Sequence, residues 1–424
     1  MWLRMAALAA LAAASCLSAR AQTPPFTLDE AFGRVARVHP DLRLLRVDER
    51  ILAAEREGAG LRPPMVAGLE VENALGTGTA RGFGAAEVTL SLAGVLEGAG
   101  KLDARRAVAQ VRIDALAVER EARRLDLLAE VARRYVAIVV AQQRSRVAEL
   151  DIAQRRAAIA AAQRRLQAGA SPESVLLTAE AALARAEMEH ERALQEADAA
   201  RRYLATLWGD YAPDLGEVAG DLPALPAMAD FAALAQQLAR NPDLQRFDDQ
   251  RRLRDAQLHL ARLQSRPDPE WSLGLRRLGE GGDLALVGSI AVPLGSARRA
   301  GPGIRAAEAE RARLDIEREA EGMNLHAALA AMHGRYRVAR LEVQRLREAV
   351  QPRLAKAEAA AARAYRAGAA SYLEWAQLQS DRIQAHRQEI DAAQEARAAL
   401  IEIQRLTGES AMGEDTASTR GDLP

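Results

Sequence analysis

GKLDARRAVAQVRIDALAVEREARRLDLLAEVARRYVAIVVAQQRSRVAELDIAQRRAAIAAAQRRLQAG, residues Gly100 to Gly169, is the stretch that decides the fold. No proline lies between Pro64 and Pro172, and the stretch keeps its glycines at its two ends. Ala, Arg, Leu, Glu and Gln dominate, the residues that lose least entropy in a helix. At 1.5 Å per residue such a helix spans on the order of 100 Å. The stretch also occurs twice. A shift of 199 places, the separation of Gly169 and Gly368, sets Arg106 on Arg305, Leu207 on Leu406 and Gly209 on Gly408 without a gap. Two very long helices, each ended by an Ala-Gly-Ala turn, organise the chain.

The chain has 424 residues, 58 basic and 58 acidic, so its net charge is zero. That balance argues against a nucleic-acid surface. Aromatics are only 4%, too few for a large aromatic core. Abundant Ala with Arg, Glu and Leu fits long helices packed closely side by side.

The N-terminus reads as a secretory signal: Arg4, an apolar run from Leu8 to Leu17, then Ala19-Arg20-Ala21 as a cleavage site before Gln22. Ala13-Ala14-Ser15-Cys16 is the alternative, a lipoprotein box with Ala where Leu is usual. After the signal no apolar run is long enough for a transmembrane helix, so a membrane crossing requires a β-barrel.

Thr27 with Glu30 reads as a capping box opening a helix that Pro40 interrupts and that runs to about Gly60. Its echo, "ARNPDLQRF" around Pro242, belongs to a helix from about Asp230 to Leu263. Each helix leads into an alternating strand, a glycine-rich loop and a second strand: Met65–Asn73 with Glu87–Val95, and Pro269–Arg277 with Leu284–Val292. Each strand has about the length a tilted membrane strand needs. Two hairpins give four strands, too few to close a barrel, whereas three chains would give twelve. The first long helix is expected to end at Gly169, with Ser171 capping the return helix and Pro172 in its first turn. The second is expected from about Gly303 to Ala367, bent at Pro352, with a return helix from Ser371 to about Leu406. The helix before the hairpin and the return helix sum to about 71 residues against about 69 for the rod, so they can stack end to end beside it.

The expected organisation is a signal over 1–21, a first repeat over 22–209, a linker over 210–229 packed outside the helical wall, a second repeat over 230–407 and a disordered tail over 408–424. The fold class is mainly α with a small β part: duplicated long helical hairpins forming a trimeric α-barrel, plus four strands per chain for a twelve-stranded transmembrane β-barrel.

The pattern resembles the TolC-type outer-membrane efflux family over essentially the whole mature chain. "TLDEAFGRVARVHPDL" with its echo "FAALAQQLARNPDL", the turns "RLQAGASPESVL" and "AYRAGAASYLEW", and the endings "LATLWGD" and "IQRLTGE" carry the resemblance. "AGLRPPMVAGLEVENALGTG" followed by "GKLDARRAVAQ" is similar to the CzcC-like branch, which works with heavy-metal exporters. That branch usually has Gly-Gly-Lys-Arg where this chain has "EGAGKLDAR". The resemblance implies a homotrimer seated in outer-membrane lipid of a Gram-negative bacterium and reaching into the periplasm. It implies a periplasmic adaptor (membrane fusion protein) and an inner-membrane pump of the resistance–nodulation–division (RND) type as partners. The duct would be passive, with heavy-metal cations as cargo; multidrug or type I secretion is the alternative for the same fold. A periplasmic coiled-coil adaptor is the alternative from another class, but one helical hairpin between β-domains is its pattern, not a duplicated one.

The resemblance also points to residues. Glu374, six places after Gly368, matches an acidic position of the family's pore constriction, and the next such position is Gln377. Gly169, Ala170 and Ser171, with Gly368, Ala369 and Ala370, match the adaptor-docking turns. A Glu173–Arg366 ion pair is a further candidate at the tip. The motifs of nucleophilic, metal-dependent and nucleotide chemistry (GxSxG, HExxH, P-loop) do not occur, so an enzyme is not expected and no cofactor is implied. Glu317 and Glu319 read as a solvated helix face. Met323, His326, Met332 and His333 on an Ala-rich helix read as packing and surface residues, not as a metal site.

Overall fold

The computed structural model describes residues 25–408 except 99 and 280. The signal, Cys16 and the expected tail after Gly408 lie outside the described residues.

The first half opens with α1 (Leu28–Val38) and α2 (Pro40–Ala59), followed by β1 (Val66–Glu72) and β2 (Glu87–Val95). Then come α3 (Lys101–Gln167) and α4 (Glu173–Ala205), the latter ending in a tight turn over Thr206–Trp208. The second half repeats this as α5 (Phe231–Gln237), α6 (Pro242–Gln264), β3 (Glu270–Arg277), β4 (Leu284–Ala291), α7 (Ser296–Arg345), α8 (Gln351–Arg366) and α9 (Tyr372–Thr407).

The helix ends follow local chemistry. Thr27 Oγ1 accepts the Glu30 N–H at 3.2 Å, but Glu30 turns to Arg34 at 2.6 Å instead of completing the capping box. Asn241 Oδ1 accepts the Asp243 N–H at 2.6 Å and opens α6. Ser371 caps α9 by accepting the Glu374 N–H at 3.2 Å. At the first turn the expectation fails: Ser171 does not cap, Pro172 itself stands at the cap with ψ 155, and α4 starts at Glu173. An extended proline ends the turn, so helical dihedrals begin one residue later. The second rod also begins earlier than expected, at Ser296, with Pro302 inside it. The carbonyl that Pro302 leaves free belongs to exposed Arg298, where solvent can satisfy it. At Pro352 the helix passes through a π turn, Leu346–Val350, in which the Gln351 N–H reaches back to Leu346 O. That wider turn accommodates the proline ring where an α-turn would press it on a carbonyl.

The helices form one wall. α3 packs against α2 and α4 on one side and against α6 and α9 on the other, and α7 packs against α6 and α9. The shorter helices do meet end to end. The Phe26 and Trp208 rings lie 6.1 Å apart where α1 starts and α4 ends, and Arg34 stacks over both. Asn241 Nδ2 donates to Leu406 O at 2.7 Å where α9 ends and α6 starts. Three buried clusters hold the wall: one around Phe26, Val131, Tyr135, Ile138 and Leu204, one around Leu234, Leu329, Tyr336 and Ile403, and an alanine-rich one at the far end around Tyr365, Tyr372 and Trp375. Alanines let the helix axes approach closely, which offsets the small area each one buries.

Residues 210–229 pack onto this wall. Val218 pairs with Phe26, and Leu215, Val218 and Leu222 are buried. Tyr135 donates to Phe26 O and Ala219 O at 2.9 and 2.5 Å, and Tyr336 donates to Pro226 O at 2.5 Å. Burial pushes both tyrosine hydroxyls above their ordinary pKa, so both remain donors.

The four strands form one antiparallel sheet in the order β1-β2-β3-β4. The hairpins of the two halves pair through β2 and β3, with Leu90 opposite Leu275. Among the described residues the outer edges of β1 and β4 are unpaired.

Candidate functional site: a two-faced sheet and a paired helical tip

Strand alternation sorts the sheet by polarity. The registers Leu69↔Leu90, Leu90↔Leu275 and Leu275↔Leu286 put Leu69, Val71, Val88, Leu90, Leu92, Leu273, Leu275, Leu284, Leu286 and Ile290 on one face. These side chains are 37% (Val88) to 77% (Ile290) exposed. Taking such a face out of water is worth on the order of 10–20 kcal/mol at ~1.5–3 kcal/mol per fully buried side chain. The other face carries Glu70, Glu72, Glu87, Thr89, Ser91, Ser272, Arg276 and Ser289. There Arg276 reaches Glu72 at 2.8 Å, Thr89 at 3.0 Å and Glu87 at 3.3 Å. Glu87–Val95 spans ~30 Å at ~3.3 Å per residue, the thickness of a hydrocarbon core. One face suits lipid and the other water. No helix among the described residues is long and apolar enough to cross a membrane.

A charge clamp seats the sheet on the helices. Lys101 Nζ donates to Asp268 Oδ2 and Arg266 O, both at 2.7 Å, and the Gly98 N–H donates to Asp268 Oδ1 at 2.7 Å. Burial works against the Asp268 charge, but hydrogen bonds from Lys101 and Gly98, with the charges of Lys101 and Arg105, hold its carboxyl below the ordinary value. Arg105 adds an ion pair to Glu97 and donates to Ala59 O and Leu61 O.

At the far end two helical tips lie side by side. Gly169 (φ +67) and Gly368 (φ +82) take the left-handed conformation that ends each helix. The Ala170 N–H returns to Arg165 O at 2.8 Å, and the Ala369 N–H to Ala364 O at 2.9 Å. Arg165 ties the tips together: it donates to Tyr365 O at 2.6 Å and Ala170 O at 3.2 Å and stacks over the Tyr365 ring at 4.9 Å. Below, Trp375 donates to Glu358 at 3.1 Å and Arg382 pairs with the same carboxylate at 3.3 Å. Deeper still, Arg155 joins Asp151 on α3 to Ser380 on α9, at 2.8 and 3.2 Å. The candidate Glu173–Arg366 pair is not formed within the chain; Arg366 donates to Ala362 O within its own helix. Ala168–Ala170 and Gly368–Ala369 are exposed at the ends of the tips, and Ser171 and Ala370 are half-buried.

Glu374 stands exposed in the first turn of α9, favourable to the positive end of the helix dipole. Gln377, one turn on, donates to Asp381 Oδ1 at 2.8 Å. Glu374, Gln377, Asp381, Gln384 and Gln388 follow three-four spacing on one solvent-facing stripe that carries no basic residue. Asp381 and Arg165 escaped sequence reasoning. The three-four spacing on α9 was the signal for Asp381; for Arg165 there was none, since its counterpart 199 places on is Ala364. His326 and His333 pack on Phe231 at 5.1 and 5.7 Å, which is a packing role. No group of three or more His, Cys, Asp or Glu side chains is placed to hold a metal among the described residues.

A lipid-suited sheet mounted on a wall of helices on the order of 100 Å long is the build of an outer-membrane channel subunit. Comparison with known proteins agrees. Residues 64–210 match the family model described as outer membrane efflux protein. The cobalt-zinc-cadmium resistance protein CzcC of Cupriavidus metallidurans is 28% identical over 286 residues, 67% of this chain and 68% of that protein. Among solved structures, CusC aligns over 92% of this chain and 96% of its own with a TM-score of 0.75 at 17% identity. A membrane protein from Pseudomonas aeruginosa aligns over 91% and 92% with a TM-score of 0.74 at 20% identity. The outer membrane protein VceC from Vibrio cholerae aligns over 90% and 96% with a TM-score of 0.69 at 17% identity. These structural likenesses establish the fold. Over residues 64–210 the chain matches the outer membrane efflux protein family, and over 90% or more of its length it shares the fold of CusC and VceC.

Proposed function

We propose that three copies of this chain close into a passive efflux duct for heavy-metal cations, completed by a periplasmic adaptor and an inner-membrane RND pump. The open edges of the single chain carry this reading. β1, which follows α2 in the chain, is one edge of the sheet, and β4, which leads into α7, is the other. Exposed apolar residues also stand on the outermost helices of the wall: Leu44, Ile51, Leu177 and Met188 on α2 and α4, and Ile316, Met323, Val338 and Leu341 on α7. Two different edges give a head-to-tail interface, which closes into a ring when the rotation between copies closes. Four strands per copy make a twelve-stranded barrel from three copies, with no edge left open.

Glu374 is the acidic layer of the periplasmic constriction and Gln377 its neighbour. Carboxylates brought together on one axis attract cations and repel anions. Gly169, Ala170 and Ser171, with Gly368, Ala369 and Ala370, are the adaptor-docking surface. Metal cargo is supported by the likeness to a cobalt-zinc-cadmium resistance protein. The test is growth of cells lacking this chain in graded cobalt, zinc and cadmium. Sensitivity to the metals that the intact gene reverses is expected. Sensitivity confined to hydrophobic drugs would move the cargo away from metals.

A further inference from the structure

We propose that the groove between the two tips is an acceptor-seeking, cationic socket whose occupant is a helical hairpin with an acidic loop. The proposal rests on the reading of this end as a docking surface and adds the chemistry of the partner. The groove is a cavity of about 490 Å³ between α3 and α8, with Arg164, Arg165, Arg366, Tyr365, Ala170 and Gly368 in its wall. None of its lining residues is acidic. Small residues let another backbone approach closely.

The donors of the groove exceed its acceptors. Each guanidinium offers five N–H donors. Arg165 reaches Tyr365 O and Ala170 O, but its buried Nε–H has no acceptor among the described residues. Arg366 spends its Nε–H on Ala362 O. Arg164 makes no side-chain hydrogen bond or ion pair among the described residues. The buried Tyr365 hydroxyl is also without a partner. Basic residues near a helix C-terminus do favour the helix dipole. The contacts of Arg165 and Arg366 with tip carbonyls already serve that purpose, and Arg164 remains over. The nearest acids in sequence, Glu173 and Glu374, open the following helices and do not line the groove. A partner that brings carboxylates supplies what this wall lacks, and such complementarity sets partner choice more than raw affinity.

The test uses the purified mature chain in detergent and fluorescent, covalently closed helical hairpins whose loops carry three glutamates, three glutamines or three lysines. The glutamate hairpin is expected to bind best, and to weaken as salt rises from about 0.1 M to about 1 M, where the screening length falls from ~10 Å to ~3 Å. R164E/R366E is expected to lower that affinity at least about tenfold and to favour the lysine hairpin; R164Q/R366Q should lower it less. Equal binding of the three hairpins, or binding indifferent to both variants, overturns the proposal. So does arginine-dependent binding to phosphatidylglycerol vesicles without a preference among hairpins, which makes the socket a lipid site. Channel currents from the same preparations test the duct separately: currents without a hairpin preference overturn the socket alone.

Discussion

Lys101→Met removes the ammonium of the clamp while keeping an unbranched stem. The Lys101 side chain is 6% exposed and its partner Asp268 30%. Breaking a fully buried ion pair costs ~3–5 kcal/mol. Water reaches Asp268, which lowers the expected cost to ~2–3 kcal/mol, including the loss of the donor to Arg266 O. The clamp joins the start of α3 to the end of α6, so the damage should be local. Amide hydrogen exchange should therefore accelerate about 30- to 150-fold over residues 97–104 and 264–270, since 1.4 kcal/mol is a factor of ten. The tips should exchange at the wild-type rate. K101M/D268N should recover part of the protection, because the unpaired charge is gone while an oxygen still accepts the Gly98 N–H. Acceleration below about threefold at the junction, or an equal change at residues 160–175, would refute the reasoning.

Gly274→Val should separate the two halves of the sheet: a Cβ there meets Leu90 O at 2.9 Å and Ser91 Cβ at 3.1 Å, so β2–β3 pairing and the yield of folded sheet by circular dichroism should both fall. Trp375→Ala should cost ~3–5 kcal/mol in the tip, seen as faster proteolysis around residues 360–380 with the sheet unaffected, because the indole is 4% exposed and packs on Tyr365 at 5.3 Å. His386 is held below its ordinary 6.5 mainly by burial, with Arg382 adding to the effect and Glu389 opposing it. The unfolded chain then takes the proton first, so stability should fall as pH drops below about 6.5, by at most ~1.4 kcal/mol per pH unit, and His386→Gln should flatten that slope in urea titrations.

The long periods of this fold were legible because they rest on composition and repetition. The proline-free stretch from Gly100 to Gly169 located the 67-residue helix α3 to within two residues at each end. Alternation located β2 at Glu87–Val95 without error. The misses were local, and the two at helix starts came from proline. Pro172 took a cap position that Ser171 was expected to hold, and Pro302 was absorbed into a helix whose exposed end tolerates a missing bond. The side-chain constellation was less legible. Arg165 and Lys101 act on residues 200 and 167 places away, separations that periodicity does not encode. The clamp and the socket emerge only when the two halves are set side by side.

The most direct test of the duct is the mass and single-channel behaviour of the purified mature protein in detergent and planar bilayers, alongside Glu374→Ala. The account predicts a three-copy particle with small cation-selective currents, enlarged or less selective in the variant. A one-copy particle that forms no channels would contradict it.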